Sequence, residues 1–266
     1  MNETRHCAGR RAVVHGLAWT APAVALTATA PAMAISAACL RSVTVDWSTA
    51  SFTRTSATAG TYTTADPDGT GPLQPLRLTV QTTLGSNTQT GNQGNKERDG
   101  RVNENLKARS GTVGGAANPL VLHQSPRSDS DKRDTRTNAN KAVTTFTLSR
   151  PVSGLAFTIT DIDSKTDDFV DAVGIQSATV FTATRANTTT AGVSGTGTLT
   201  DPLRAAGRNT DVQESESRGN ATIRFTGDVT SFNLDYWNQA ATASTTIDGD
   251  QRIFLSAFQL TYSICP

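Results

Sequence analysis

Five aspartates crowd into one short stretch of the chain, and carboxylates at this density are the residues best able to do chemistry. The stretch spans residues 161–171 and contains Asp161, Asp163, Asp167, Asp168 and Asp171. Calcium takes about six to eight oxygen ligands in flexible geometry, and such a stretch could supply several of them. Carboxylates this close repel one another unless a cation or an arginine neutralises them. We therefore predict these five aspartates as candidate calcium ligands, with Asp161 and Asp163 the strongest.

The spacing does not match the best-known calcium loop, so a second interpretation stays open. Lys165 stands at the fifth position of an EF-hand register, and the sixth-position glycine and final glutamate are missing. A solvated acidic turn, neutralised by Lys165, Arg150 or Arg252, fits the same residues. Asp248 and Asp250 could join a calcium site from a neighbouring loop. We expect no cofactor other than calcium.

Catalytic constellations are scarce in the sequence. Once a leader is removed, His123 is the one remaining histidine, too few for a zinc site, and no nucleophile is seen beside it. We expect His123 to have a structural role. Paired carboxylates could hydrolyse glycosides, but Glu104, Glu214 and Glu216 lie in polar surroundings that do not favour a buried acid. The sequence favours a non-enzymatic protein, with glycoside hydrolase as the alternative.

A second candidate site lies towards the carboxyl end. The consecutive residues Tyr236, Trp237 and Asn238 could form a platform on which a sugar stacks. The alternative is that Trp237 caps the edge of the core.

The elements that must position these residues are strands. Leu155, Phe157 and Ile159 alternate with small or polar residues before the acidic stretch, and a second strand leaves at Val173. Similar short alternating runs recur along the chain, and none after residue 34 has a helical period. We predict an all-β antiparallel sandwich, jelly-roll-like, with a turn at residues 150–154 and a bulge near Ser256. Long polar loops are expected near residues 85–118 and 125–141.

The first 34 residues predict an export signal. Arg10 and Arg11 form a twin-arginine pair, an uncharged stretch follows, and residues 32–34 form a small-residue cleavage site. A lipoprotein alternative rests on Cys39, although the aliphatic residue expected three positions before it is absent. We predict a signal peptide over residues 1–34 and one β-sandwich domain over residues 35–266.

The number of cysteines indicates the redox compartment of the protein, and its net charge limits the classes of partner that it could bind. After cleavage only Cys39 and Cys265 remain, and outside the cytoplasm such a pair most simply forms a disulfide; two free buried thiols are the alternative. The mature chain is near neutral, which argues against binding to nucleic acid. We expect a secreted, extracellular or cell-wall-associated protein that contacts the membrane only through its transient signal segment.

The second half of the chain resembles a group of secreted, uncharacterised β-sandwich proteins of high-GC Gram-positive bacteria with twin-arginine-type leaders. The similar segments cover about half of the mature chain; they are residues 145–155 (TFTLSRPVSGL), 160–163 with Asp168 and Asp171, 218–222, 236–238, 249–256 and, in the leader, 16–19 with Pro22. The resemblance implies an exported sandwich but brings no activity. We therefore predict a secreted or cell-surface module for binding, adhesion or envelope structure, with a cell-envelope component or a carbohydrate as partner.

Overall fold

The computed structural model describes residues 39–69, 71–91, 103–127, 138–166, 169–186, 192–207, 209–239 and 251–265. The chain divides into two compact units, Met1–Ala34 and Ile35–Pro266, and every described residue lies in the second unit. None of the helical segments in these ranges is long and apolar enough to cross a membrane.

Short strands separated by turns make up the first half of the second unit. Along the fourth strand buried and exposed residues alternate, so Leu78 and Val80 face the core while their neighbours face solvent. The strands up to residue 126 are β1 (Leu40–Val45), β2 (Phe52–Arg54), β3 (Ala59–Thr63), β4 (Arg77–Leu84), β5 (Thr88–Thr90), β6 (Thr112–Val113), β7 (Ala116–Ala117) and β8 (Leu120–Pro126).

The second half begins with a single 3-10 turn, Asn138–Asn140, which leads directly into the longest strand. The remaining strands are β9 (Lys141–Thr160), β10 (Ser164–Lys165), β11 (Phe169–Gln176), β12 (Phe181–Arg185), β13 (Val193–Ser194), β14 (Leu203–Ala205), β15 (Ala221–Phe225), β16 (Val229–Asn238), β17 (Gln251–Leu255) and β18 (Phe258–Ser263).

Strand β9 takes part in both layers of the molecule. Its first half pairs with β4 and β16, and its second half pairs with β15 on one side and with β17 and β18 on the other. One 16-stranded antiparallel sheet is thereby folded over on itself, and β6 and β7 form a separate two-stranded hairpin. This architecture confirms the predicted all-β antiparallel sandwich.

Aromatic side chains from both halves of β9 fill the core between the layers. Phe146 stacks on Phe232 with ring centroids 4.8 Å apart, and Phe157 stacks on Phe258 at 4.6 Å. All four side chains are buried. Because burying one such ring stabilises the fold by about 2 kcal/mol, this cluster holds the two layers together.

A disulfide joins the two ends of the domain. Cys39 is bonded to Cys265 with their Cα atoms 5.3 Å apart, next to the pairing of β1 with β18. The bond confirms the predicted pair and occupies the thiol that a lipid anchor would need. It closes a loop with a sequence separation of 226 residues, for which the chain-entropy model gives at most about 5 kcal/mol.

The predicted turn at residues 150–154 is wrong. Strand β9 runs through Pro151 and Gly154 without interruption, and Gly154 has a φ of 63°. Cross-strand partners change around this point: Leu148 pairs with β4, whereas Val152 pairs with Val229 and Tyr262. Proline lacks an N–H for a ladder, so it fits where the strand passes from one layer to the other.

Two further expectations need adjustment. The region near residues 85–118 contains strands β5, β6 and β7 and is therefore more ordered than a polar loop; residues 92–102 and 128–137 lie outside the described part. In place of a bulge at Ser256, strand β17 ends at Leu255 and β18 begins at Phe258, so two residues between them are not in a strand. The backbone N–H of Ser256 donates to the Thr158 carbonyl at 2.9 Å, which holds this short connection against β9.

Candidate functional site

Three of the five predicted aspartates meet where β9 ends, in a cluster called here the acidic end (Asp161, Asp163 and Asp171). The strand stops because Asp161 adopts a left-handed φ of 65°, a conformation that aspartate tolerates better than most residues. The hairpin of β10 and β11 then turns the chain back, so that the Asp171 N–H donates to the Asp163 carbonyl at 3.0 Å. Asp167 and Asp168 lie outside the described residues.

An internal donor already occupies one oxygen of the Asp163 carboxylate and holds the loop at residues 210–212 in place. The backbone N–H of Val212 donates to Asp163 Oδ2 at 3.2 Å. Close by, Ser164 and Thr210 exchange two further bonds: the Thr210 N–H donates to Ser164 Oγ and the Ser164 N–H to the Thr210 carbonyl, both at 3.1 Å. Asp163 therefore serves as a structural acceptor between the β10–β11 hairpin and residues 210–212.

Asp171 is the most heavily used acceptor of the three. Tyr236 Oη donates to its Oδ1 at 2.7 Å, Gln251 Nε2 donates to the same oxygen at 3.2 Å, and the Asp163 N–H donates to Oδ2 at 3.2 Å. The residue is 1% exposed. It thus ties β10, β11, β16 and β17 together from the interior.

Burial makes these three carboxyl groups weaker acids than aspartates in water, because it raises their pKa values. It raises the pKa of Asp161 to about 8, helped by the negative charges of Asp163 and Glu214. Burial also raises the pKa of Asp163 to about 6 and that of Asp171 well above its ordinary value. The expectation of a solvated acidic turn is wrong for Asp163 and Asp171, because the loop at 210–212 and strands β16 and β17 cover them, whereas Asp161 is half-buried.

The acidic end fits calcium only in part. The described residues contain no group of three or more His, Cys, Asp or Glu side chains arranged to hold a metal ion. Both carboxylate oxygens of Asp171 and Oδ2 of Asp163 accept hydrogen bonds from internal donors, whereas Asp161 Oδ1 is buried and has no hydrogen-bond partner among the described residues. Asp161 thus offers a cation a buried oxygen that no internal donor occupies.

The second predicted site does not present a stacking surface. Tyr236 is 2% and Trp237 1% exposed, so neither ring offers a face to a sugar. Asn238 uses its Oδ1 to accept the Val170 N–H at 3.0 Å. This corrects the prediction of a sugar platform: Tyr236 donates its hydroxyl to Asp171 of the acidic end, and Trp237 is packed inside.

The remaining candidate residues have structural surroundings. His123 is 1% exposed and accepts the Glu104 N–H at Nδ1, 3.2 Å away. Each glutamate considered as a catalytic acid forms an ion pair with an arginine. The distance from guanidinium nitrogen to carboxylate oxygen is 3.3 Å for Arg252 and Glu104, 2.9 Å for Arg109 and Glu214, and 2.8 Å for Arg218 and Glu216.

A polar groove that the sequence did not single out lies beside the acidic end. It is called here the threonine groove and is lined by Thr158 and Thr160 of β9, Asn220 just before β15, Thr222 of β15, Arg185 of β12, and the β6–β7 hairpin. Its volume is about 360 Å³. Strand register explains the lining: Thr158 pairs with Thr222, and Thr184 pairs with Thr222 from the other side, so hydroxyls form a row across three strands.

Two acceptors in the groove lack partners. Thr160 Oγ1 and Asn220 Oδ1 are buried atoms with no hydrogen-bond partner among the described residues, and their residues are 0% and 8% exposed. Asn220 Nδ2 donates to the Gly114 carbonyl at 2.7 Å, which fixes the amide in place.

Glycine at position 114 lets the hairpin approach this closely. A Cβ there would lie 2.4 Å from Asn220 Oδ1 and 2.8 Å from the Thr160 Cβ, and the φ of 58° also favours glycine. The backbone of the hairpin therefore forms a wall of the groove directly against the two unpartnered side chains.

No family model, curated protein or solved structure matches this chain.

The two sites differ in how visible they are in the sequence. The sequence reveals the acidic end as a run of carboxylates, but it does not reveal that they are buried. The threonine groove has only a weak signal, the threonines at alternate positions 158 and 160 facing Thr222. Its hairpin wall comes from residues more than forty positions earlier, and sequence spacing gives no hint of that contact.

Proposed function

We propose that the chain is a secreted or cell-surface, non-enzymatic β-sandwich module that binds a cell-envelope component or a carbohydrate. The observation that carries this proposal is the difference between the polar groups of the acidic end and those of the threonine groove. The carboxylates of Asp163 and Asp171 lie inside and bind internal donors, while two unpartnered oxygens lie at the groove, whose described lining residues include no carboxylate.

The same difference argues against glycoside hydrolysis. That reaction needs two carboxyl groups facing each other across a cleft, one of them with a raised pKa. Burial raises the pKa of Asp161 to about 8, as a general acid requires, but Asp161 does not line the threonine groove. A proton donor that cannot reach the glycosidic oxygen contributes nothing to its cleavage.

The predicted export signal supports the location in this proposal. The twin-arginine pair and small-residue cleavage site precede the domain, and the Cys39–Cys265 disulfide suits an oxidising compartment. The resemblance to exported sandwich proteins of high-GC Gram-positive bacteria points the same way.

In this proposal, calcium binds at Asp161 and stabilises the fold. Negative charge from Asp163, Glu214 and Asp211, offset in part by Arg252, acts on Asp161 and favours a cation at its unpartnered oxygen. A weak extracellular site would suffice, because free calcium outside cells is plentiful.

The test is retention of the purified protein on cell-wall and polysaccharide fractions, together with an assay for released reducing sugar. We expect retention without product release. Reducing sugar that appears with the wild type and disappears with Asp161→Asn or Asp163→Asn would establish the hydrolase alternative instead. Absence of retention on every fraction, with and without calcium, would contradict the binding module.

A further inference from the structure

We propose that the threonine groove is a saccharide-binding site, with Thr160 and Asn220 as the residues that accept hydroxyl donors from the sugar. This deepens the proposed function, on which it rests, by naming the ligand class and the place where it binds.

The unpartnered atoms are the first argument. More than about nine-tenths of buried polar groups in folded proteins have a hydrogen-bond partner, since an unsatisfied one costs free energy. Here Thr160 Oγ1 and Asn220 Oδ1 both lack one, and both residues line the same groove. Both oxygens are buried beside the Gly114 backbone, so a sugar hydroxyl reaches them only when the β6–β7 hairpin shifts. A ligand that then donates to both oxygens would supply the missing partners.

The hydrogen-bonding types in the groove select the ligand. An amide oxygen only accepts, whereas a threonine hydroxyl accepts and donates. Thr158 Oγ1 and Thr222 Oγ1 bond each other at 2.9 Å; the hydroxyl that donates in this pair can still accept, and the other can still both donate and accept. A surface of clustered acceptors and two-way hydroxyls matches a ligand whose neighbouring hydroxyls both donate and accept, as in a sugar ring.

Size and charge agree with this assignment. A volume of about 360 Å³ lies within the range usual for small-ligand sites. The described lining has no carboxylate to attract a cation, and Arg185 at the exposed end of β12 contributes guanidinium donors at the rim. These donors can bond a ring oxygen, a hydroxyl or the carboxylate of an acidic sugar.

The β6–β7 hairpin provides a matched pair of variants. Ala116 lines the groove, whereas its neighbour Ala117 points to solvent and does not. Ala116→Trp should fill the groove, and Ala117→Trp adds the same ring to the same hairpin outside it. Thr160→Val removes the unpartnered hydroxyl without changing the shape of the side chain.

The experiment measures binding of the wild type and the three variants to an array of neutral and acidic glycans, with thermal unfolding of each. We expect the wild type to bind a subset of glycans and Ala117→Trp to bind the same subset within about twofold. Ala116→Trp and Thr160→Val should each weaken binding by about tenfold or more, which corresponds to losing one or two good hydrogen bonds. Thr160→Val should keep or raise the unfolding midpoint, a combination that a merely structural threonine would not give.

Two results would overturn the inference. If Ala116→Trp and Thr160→Val bind glycans as the wild type does, the sugar binds elsewhere; the binding module then stands and the groove assignment falls. If the wild type is retained by a cell-wall fraction but by no glycan, the ligand is not a saccharide. Should Ala116→Trp fail to fold, Thr160→Val decides between these outcomes on its own.

Discussion

The acidic end and the threonine groove adjoin the same end of β9, yet Asp163 and Asp171 of the first have internal hydrogen-bond donors where two oxygens of the second have none. Asp171 accepts three hydrogen bonds from Asp163, Tyr236 and Gln251, while the oxygens of Thr160 and Asn220 accept none within the described residues. A polar group with its partners in place stabilises one conformation. A polar group without them lowers stability, and it favours a function in which a ligand completes it.

Charge sharpens the same contrast. The acidic end gathers groups that would be negative in water and raises their pKa by burial, so the fold itself works against their ionisation. The described lining of the groove is neutral apart from Arg185. Variants in the two regions should therefore separate stability from binding.

The largest effect is expected from Asp171→Ala. The change leaves the Tyr236 hydroxyl, the Gln251 amide and the Asp163 N–H without their acceptor in the interior. We expect the free energy of unfolding to fall by about 3 kcal/mol in urea titration. Asp211→Ala is the control, because Asp211 is exposed in a neighbouring loop. Equal, small effects of both changes would contradict a structural role for the acidic end.

Next in size is the pH dependence of the metal-free protein. Burial raises the pKa of Asp161 from 3.8 to about 8, so between these values the folded state holds more protons than the unfolded state. The free energy of unfolding must then fall as pH rises from about 4 to about 8, and Asp163 adds to the slope up to about pH 6. After allowance for the part of Asp161 that faces solvent, we expect a loss of about 2 kcal/mol.

Urea titrations in chelator at pH 5 and pH 8 measure this slope. Asp161→Asn should reduce the slope, since an amide does not titrate, and Asp163 and Asp171 should keep the remainder. Stability that is constant or increasing over this interval would show that the carboxyl is not buried as described.

Thr160→Val should move stability in the opposite direction to Asp171→Ala. The substitution removes an unsatisfied buried hydroxyl and places a β-branched apolar residue at the end of a strand. We expect a gain of about 1 kcal/mol in the free energy of unfolding. Thr158→Val serves as a comparison because its hydroxyl does have a partner, Thr222, and its removal should give no gain.

Calcium should have the smallest effect. A weak site at Asp161, with a Kd of about 1 mM, would stabilise the native state by about 0.4 kcal/mol at about 1 mM calcium. The unfolding midpoint should rise with the logarithm of free calcium, and Asp161→Asn should abolish the rise. An unchanged midpoint in the wild type would remove calcium from the account and leave the groove untouched.

Much of the fold follows from short-range pattern. The alternation at Phe232, Leu234 and Tyr236 predicts β16, and the run at residues 221–225 predicts β15, because a period of two puts one face of a strand in the core. The continuous β9 was not predictable in this way. Pro151 and Gly154 favour a turn locally, and only the exchange of partners between the two layers explains why the strand continues.

The sites were less accessible to sequence reasoning. The residues of the acidic end could be named from their spacing, but their burial depends on cover from Val212, Tyr236 and Gln251, which are distant in the chain. The groove depends on Gly114 meeting Asn220, a contact across 106 positions. Such contacts leave no local periodicity to read.

One paired measurement tests the central claim most directly: glycan affinity of the folded protein for Thr160→Val beside Asp171→Asn. The account predicts that Thr160→Val weakens binding about tenfold while unfolding no more easily than the wild type. It predicts that Asp171→Asn unfolds more easily but binds with wild-type affinity while folded. Loss of binding in Asp171→Asn, with wild-type binding in Thr160→Val, would contradict it.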